Sequence, residues 1–154
     1  MGSIFANSTP LSDRSITEEY PFDPNLLPAI KKLLPEFQTT EKQIAYTEFL
    51  ARKIQRNPQD LLSHIQRIYL NHTLANEEAY FGAVVDLFIA LGPKGRALKK
   101  SILRPTFTLL ESDHAKFIRE HLRSGIYSTQ LIPTRESRLS KGLSSTSSIV
   151  TEKS

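Results

Sequence analysis

The chain has 154 residues, no cysteine, 39% hydrophobic residues and a formal net charge of +4. That length suits one ordinary domain, and the missing thiols exclude disulfides, thiolate metal sites and a cysteine nucleophile while fitting a reducing, cytoplasmic setting. The charges of the two ends cancel, so the whole positive excess lies between them.

Residues 1–23 have little apolar periodicity and read as a disordered N-terminal segment without an export or lipidation signal. Order is expected to begin at the turn Pro21-Phe-Asp-Pro24, where Asn25 caps a short helix carrying Leu26, Leu27, Ile30, Leu33 and Leu34 before Pro35. Thr40-Glu41-Lys42-Gln43 has the spacing of a capping box and predicts a helix over 41–56, with Tyr46, Phe49, Leu50 and Ile54 inward. Asn57-Pro58-Gln59-Asp60 predicts the next helix start, with Asn57 as cap and Pro58 as first residue. Its stripe is Leu61, Ile65, Ile68 and Tyr69, with Ser63, Gln66 and Arg67 turned away.

The fourth helix, capped by Thr73 or Asn76, is apolar over most of its circumference from Tyr80 to Leu91 and is expected to be central. Glu78, Gly82 and Asp86, each four residues on from the last, form the one strip expected to reach water. The longest apolar stretch, 79–91, is too short to cross a bilayer, which takes about 20 residues. Gly92-Pro93 stops this helix, Lys94 to Leu103 predicts a fifth, and two further pieces with a break near Ser112 end at Gly125. From 126 the chain is rich in Ser and Thr and reads as a disordered tail, 126–154, after a helical domain over 24–125.

With no period-two alternation and short connections throughout, the predicted fold is all-α: a compact antiparallel helical bundle or short helical-hairpin array of five to six helices. Helix starts near 41, 58, 74, 94 and 113 hint at a repeating hairpin of about 35 residues, without the tryptophan, glycine and alanine positions of a tetratricopeptide unit.

The most pronounced chemical feature is the acid-free run Lys94-Gly-Arg-Ala-Leu-Lys-Lys-Ser-Ile-Leu-Arg104. Arg96, Lys100 and Arg104 recur every four residues with Lys94 and Lys99 beside them, a cationic face opposite Leu98 and Ile102. Leu103 is expected to project among these cations, and an apolar group rimmed by Lys and Arg suits a protein contact better than a phosphate track. Ala90-Leu-Gly-Pro-Lys-Gly-Arg-Ala97 resembles the hairpin of helix-hairpin-helix DNA-binding modules, with Ala90 standing where that motif has its first glycine.

Other constellations are sparse. Glu111-Ser-Asp-His114 has the spacing of half a carboxylate-bridged di-iron site, but no second pair exists, and Glu77, Glu78 and Asp86 read as solvated charges. Arg135-Glu-Ser-Arg-Leu-Ser140 sets two serines beside arginines, a context basophilic kinases accept. With no metal or cofactor motif, the expectation is a non-enzymatic adaptor or accessory module that presents a helical surface to a protein partner. Its binding residues are Lys94, Arg96, Lys99, Lys100, Leu103 and Arg104; the alternative is a nucleic-acid-binding domain using residues 94–104 for phosphates.

Overall fold

The computed structural model describes residues 23–142, which form six α-helices and one 3₁₀ turn and contain no strand. The helices are α1 (Leu26–Lys31), α2 (Thr40–Arg56), α3 (Leu61–Thr73), α4 (Glu77–Leu91), α5 (Arg96–Leu103) and α6 (Ser112–Glu120), with the 3₁₀ turn Phe107–Leu109 before the last. The fold is therefore all-α, as its periodicities predict. Successive long helices are joined by turns of a few residues and pack α2 on α3 and α3 on α4, which sets them antiparallel. α1 closes over α3 and α5.

Local chemistry places the helix ends, with small shifts from the sequence expectations. α2 is capped by Thr39, whose hydroxyl accepts from the Lys42 N–H, rather than by the adjacent Thr40. Its buried face is Thr47, Leu50, Ala51 and Ile54, while Phe49 lies outside that face and stacks on Tyr46, which in turn meets Phe37. The cap expected at Asn57 belongs to Asp60. Asn57 ends α2, its carbonyl accepts from the Asp60 N–H, and the Asp60 carboxylate takes both the N–H and the hydroxyl of Ser63. The chain turns over residues 57–60 before the helix starts at Leu61, so Asp60 is the residue in position to meet the unpaired donors and the positive end of the helix dipole. The reversal of direction predicted for 57–60 is unaffected.

α3 departs most from its amphipathic pattern. Ser63, His64, Gln66, Arg67 and Asn71 are buried together with the apolar stripe, because α1, α2, α4 and the C-terminal segment surround the helix. His64 is neutral-favouring: burial lowers its pKa, and its Nε2 contacts the Pro58 carbonyl at 2.8 Å. α4 is capped by Asn76 and is central as expected, with Tyr80, Phe81, Val84, Val85 and Phe88 fully enclosed.

Asp86 and Gly82, expected on a wet strip, are buried. The chain after Gly125 covers them, which corrects the domain boundary. Ile126 and Ile132 join the main core and Thr134 is buried, so residues 126–142 belong to the folded unit. Residues 128–142 form a loop closed at its neck, where the N–H groups of Lys141 and Gly142 both donate to the Ser128 carbonyl. The loop lies along the strip on α4. Thr134 donates to Glu78, and a Cβ on Gly82 would stand 2.5 Å from that of Glu136. Asp86 accepts from the Ser137 hydroxyl and from the N–H groups of Arg138 and Leu139. The segments expected to be disordered at 1–22 and 143–154 lie outside the described residues.

Candidate functional site: a cation-rimmed groove between two helices

α5 begins at Arg96, two residues later than predicted, because Gly95 adopts a left-handed φ of 75° as its N-cap and Gly92, at φ 61°, ends α4. The glycines of the 90–97 segment thus serve the corner between two helices. Gly92 is also packed from the other side: a Cβ on Gly125 would fall 2.2 Å from its carbonyl carbon. Positive φ and close approach account for both residues.

Along α5 the six predicted binding residues separate. Lys94, Arg96 and Arg104 are exposed and Lys100 is half-buried, whereas Lys99 and Leu103 are buried. Lys99 is not part of a cationic face. Its Nζ donates to the Gly92 carbonyl at 2.6 Å and sits 4.7 Å above the Phe88 ring, locking α5 to the end of α4. Burial, followed by the nearby charge of Arg96, brings its pKa down to about 8. Leu103 is 8% exposed and counts in the core rather than projecting among the cations. The sequence pattern sets both residues with the cations, and the tertiary packing, at the α4–α5 corner for Lys99, takes both into the interior.

Leu103 nonetheless reaches a surface from below. Together with Phe107, Ile118 and Leu122 it floors a cleft of about 510 Å³ between α5 and α6, with Lys100, Arg104, Arg119 and Thr108 at its edges. Among the described residues three cations and no acid line this groove. Arg119 lies 5.5 Å over the Phe107 ring, which holds its charge at the rim. The fold therefore joins Lys100, Leu103 and Arg104 of the predicted set with residues of α6, while Lys94 and Arg96 stand apart from the groove. The α6 contribution escaped sequence reasoning because Ile118 and Leu122 pass for ordinary core residues. Their four-residue spacing beside Arg119 is the only signal that could have pointed to it.

A second cluster forms where α4 begins. Glu77, Glu78 and His114 bring potential ligand atoms within 4.8 Å of one another. Each group already has a protein partner: His114 Nδ1 and the Glu111 N–H meet Glu77 at 2.7 and 3.1 Å, and Thr134 meets Glu78. The His114 ring is stacked on Phe81 at 3.8 Å, so the cluster fastens the start of α6 and the C-terminal loop to α4. Glu111, paired with His114 in the sequence pattern, contributes its backbone and not its carboxylate. His121 turns to the Phe117 carbonyl instead.

Fold and site together define an all-α domain with an apolar groove edged by Lys100, Arg104 and Arg119. No protein-family model matches the chain, and no curated protein or solved structure matches it either. Among the described residues no helix is long and apolar enough to cross a membrane.

Proposed function

We propose that the domain is a non-enzymatic protein-interaction module whose α5–α6 groove receives an acidic amphipathic helix from a partner protein. The observation that carries this reading is the joining of an apolar floor, Leu103, Phe107, Ile118 and Leu122, to a rim of Lys100, Arg104 and Arg119. Apolar side chains at i, i+3 or i+4 and i+7 of a helix would fill the floor, and flanking Glu or Asp would meet the cations. Charge at the rim governs association rate and partner choice, and the desolvated floor supplies most of the affinity. A phosphate track is less well served, because burial of Lys99 removes one of its cations and the surface between the others is apolar.

The test is fluorescence anisotropy with a labelled helical peptide bearing Leu at these positions and Glu on either side. Binding is expected to weaken at least tenfold in the Arg104→Glu/Arg119→Glu variant and to persist in an Arg52→Glu/Arg56→Glu control, where exposed cations of α2 are reversed. Equal binding by both variants removes the groove from consideration. Tighter binding of a duplex oligonucleotide, with a log–log salt slope near −0.9 per phosphate contact, moves the assignment to nucleic acid.

A further inference from the structure

The C-terminal loop carries a feature independent of the groove. Its hold on the helices converges on one buried carboxylate. Asp86 is wholly inaccessible and pairs with Arg67 of α3, itself buried, while its remaining capacity is taken by the loop. Ser137 donates its hydroxyl at 2.6 Å, and the N–H groups of Arg138 and Leu139 donate at 2.9 and 3.0 Å. The Ser137 oxygen also accepts from the Ser140 N–H at 3.1 Å, so this hydroxyl both anchors the loop to α4 and shapes its turn. Arg67 adds a bond to the Glu136 carbonyl, and the Arg138 guanidinium grips both oxygens of Glu48 on α2.

Apart from Thr134, no residue between 133 and 140 is fully buried, and the contacts described for this stretch are polar. Such a segment opens locally at a fraction of the cost of global unfolding. Once open, it presents Ser137 with Arg135 two residues before and Arg138 one residue after, the cationic surround that a basophilic kinase requires.

We propose that Ser137 is a phosphoryl-acceptor site and that its modification releases the 133–140 stretch from α4, while Ile132 stays in the core. In the transfer, Ser137 Oγ forms a bond to the γ-phosphorus of a nucleoside triphosphate held by a basophilic kinase. The bond from that phosphorus to the β–γ bridging oxygen breaks, the nucleoside diphosphate leaves, and the hydroxyl proton passes to the kinase's base. The product cannot return to the seated position. It has lost the hydrogen that Asp86 accepted, and it places a dianion beside a carboxylate shielded from water, where like charges repel most strongly. The open stretch is captured, and Gly82 and Asp86 become accessible beside the already exposed Glu78.

The experiment treats the full chain with the catalytic domain of a basophilic Ser/Thr kinase and magnesium ATP, locating phosphate by mass spectrometry. Glu48→Ala, which loosens the Arg138 grip without altering the acceptor sequence, is expected to speed incorporation at Ser137 severalfold over the natural chain. Hydrogen exchange of the Arg138 and Leu139 amides, protected by Asp86, is expected to rise at least tenfold on phosphorylation, while α4 amides near Phe88 keep their protection. Failure to label Ser137 in both chains overturns the acceptor assignment, whether or not a free peptide of residues 131–142 is labelled. Phosphorylated chain with the Arg138 and Leu139 amides still protected overturns the release.

Discussion

On two helices of this domain the residues outside the apolar pattern recur at four-residue intervals, and the fold treats the two series in opposite ways. On α4 the series Glu78, Gly82, Asp86 is covered by the 128–142 loop, with Gly82 and Asp86 buried. On α5 the series Arg96, Lys100, Arg104 stays at the surface and its latter half edges an apolar groove. The difference lies in what surrounds the strip. α4 is apolar on every other side, so a narrow polar track between core faces is a place for backbone donors to dock, and an acid there finds N–H partners in place of water. α5 is short and lies at the edge of the unit, so its long cationic side chains reach solvent while their stems and Leu103 line a floor.

If that contrast is right, the largest loss belongs to α4. Asp86→Ala is expected to cost about 3–5 kcal/mol in urea denaturation, since it leaves Arg67 buried without its anion and strips three loop donors of their acceptor. Phe88→Ala, emptying a fully enclosed site beside Lys99, belongs in the same range of about 3–5 kcal/mol. A loss below about 1 kcal/mol for Asp86→Ala would mean that the strip behaves like an ordinary wet surface.

Lys99 sharpens the comparison through pH, because it is the cation of α5 that the fold withdraws from water. Its folded pKa of about 8 lies below the ordinary 10.5, so between these values the unfolded chain binds the proton more tightly. Stability therefore gains from this residue as pH rises from about 8 to 10.5, by at most about 3–4 kcal/mol at 1.36 kcal/mol per unit, and the contribution is flat at lower pH. Lys99→Met is expected to abolish that rise, as the difference between the two chains' denaturation midpoints across the window would reveal.

Gly82→Ala tests the cover by its sign. A Cβ there would lie 2.5 Å from the Glu136 Cβ and 2.7 Å from its carbonyl carbon, so a cost of about 1–3 kcal/mol and faster proteolysis after Arg135 are expected. On an uncovered helix the same change would stabilise by about 0.5–1 kcal/mol. Smaller effects come from the α2–α3 turn, where Asp60→Ala should cost about 0.5–2 kcal/mol and Asn57→Ala less, since the aspartate holds the helix donors. Smallest of all in stability, Arg104→Glu with Arg119→Glu should cost less than about 1 kcal/mol while weakening peptide binding at least tenfold.

Much of this arrangement is legible in the chain itself. The all-α class, the position of each helix to within a few residues and the centrality of α4 follow from apolar spacing, Gly92-Pro93 and the polar caps, because these act over one or two turns. The groove is half-legible: Lys100, Leu103 and Arg104 stand out in a basic run, whereas Phe107, Ile118, Arg119 and Leu122 have no local mark that sets them apart from core and surface. Lys99 and Lys100 are neighbours of one residue type, and nothing in the sequence says which one meets Phe88.

Interactions within a few residues of one another thus fix where helices form and which side of each is apolar. The tertiary structure alone decided the fate of the polar groups. Asp86 meets Ser137 across 51 positions, Glu77 meets His114 across 37 and Glu78 meets Thr134 across 56. Whether such a residue is solvated or buried depends on which distant segment supplies its hydrogen bonds, and a Ser/Thr-rich stretch with donors to offer can be folded by a buried carboxylate that its own composition does not announce.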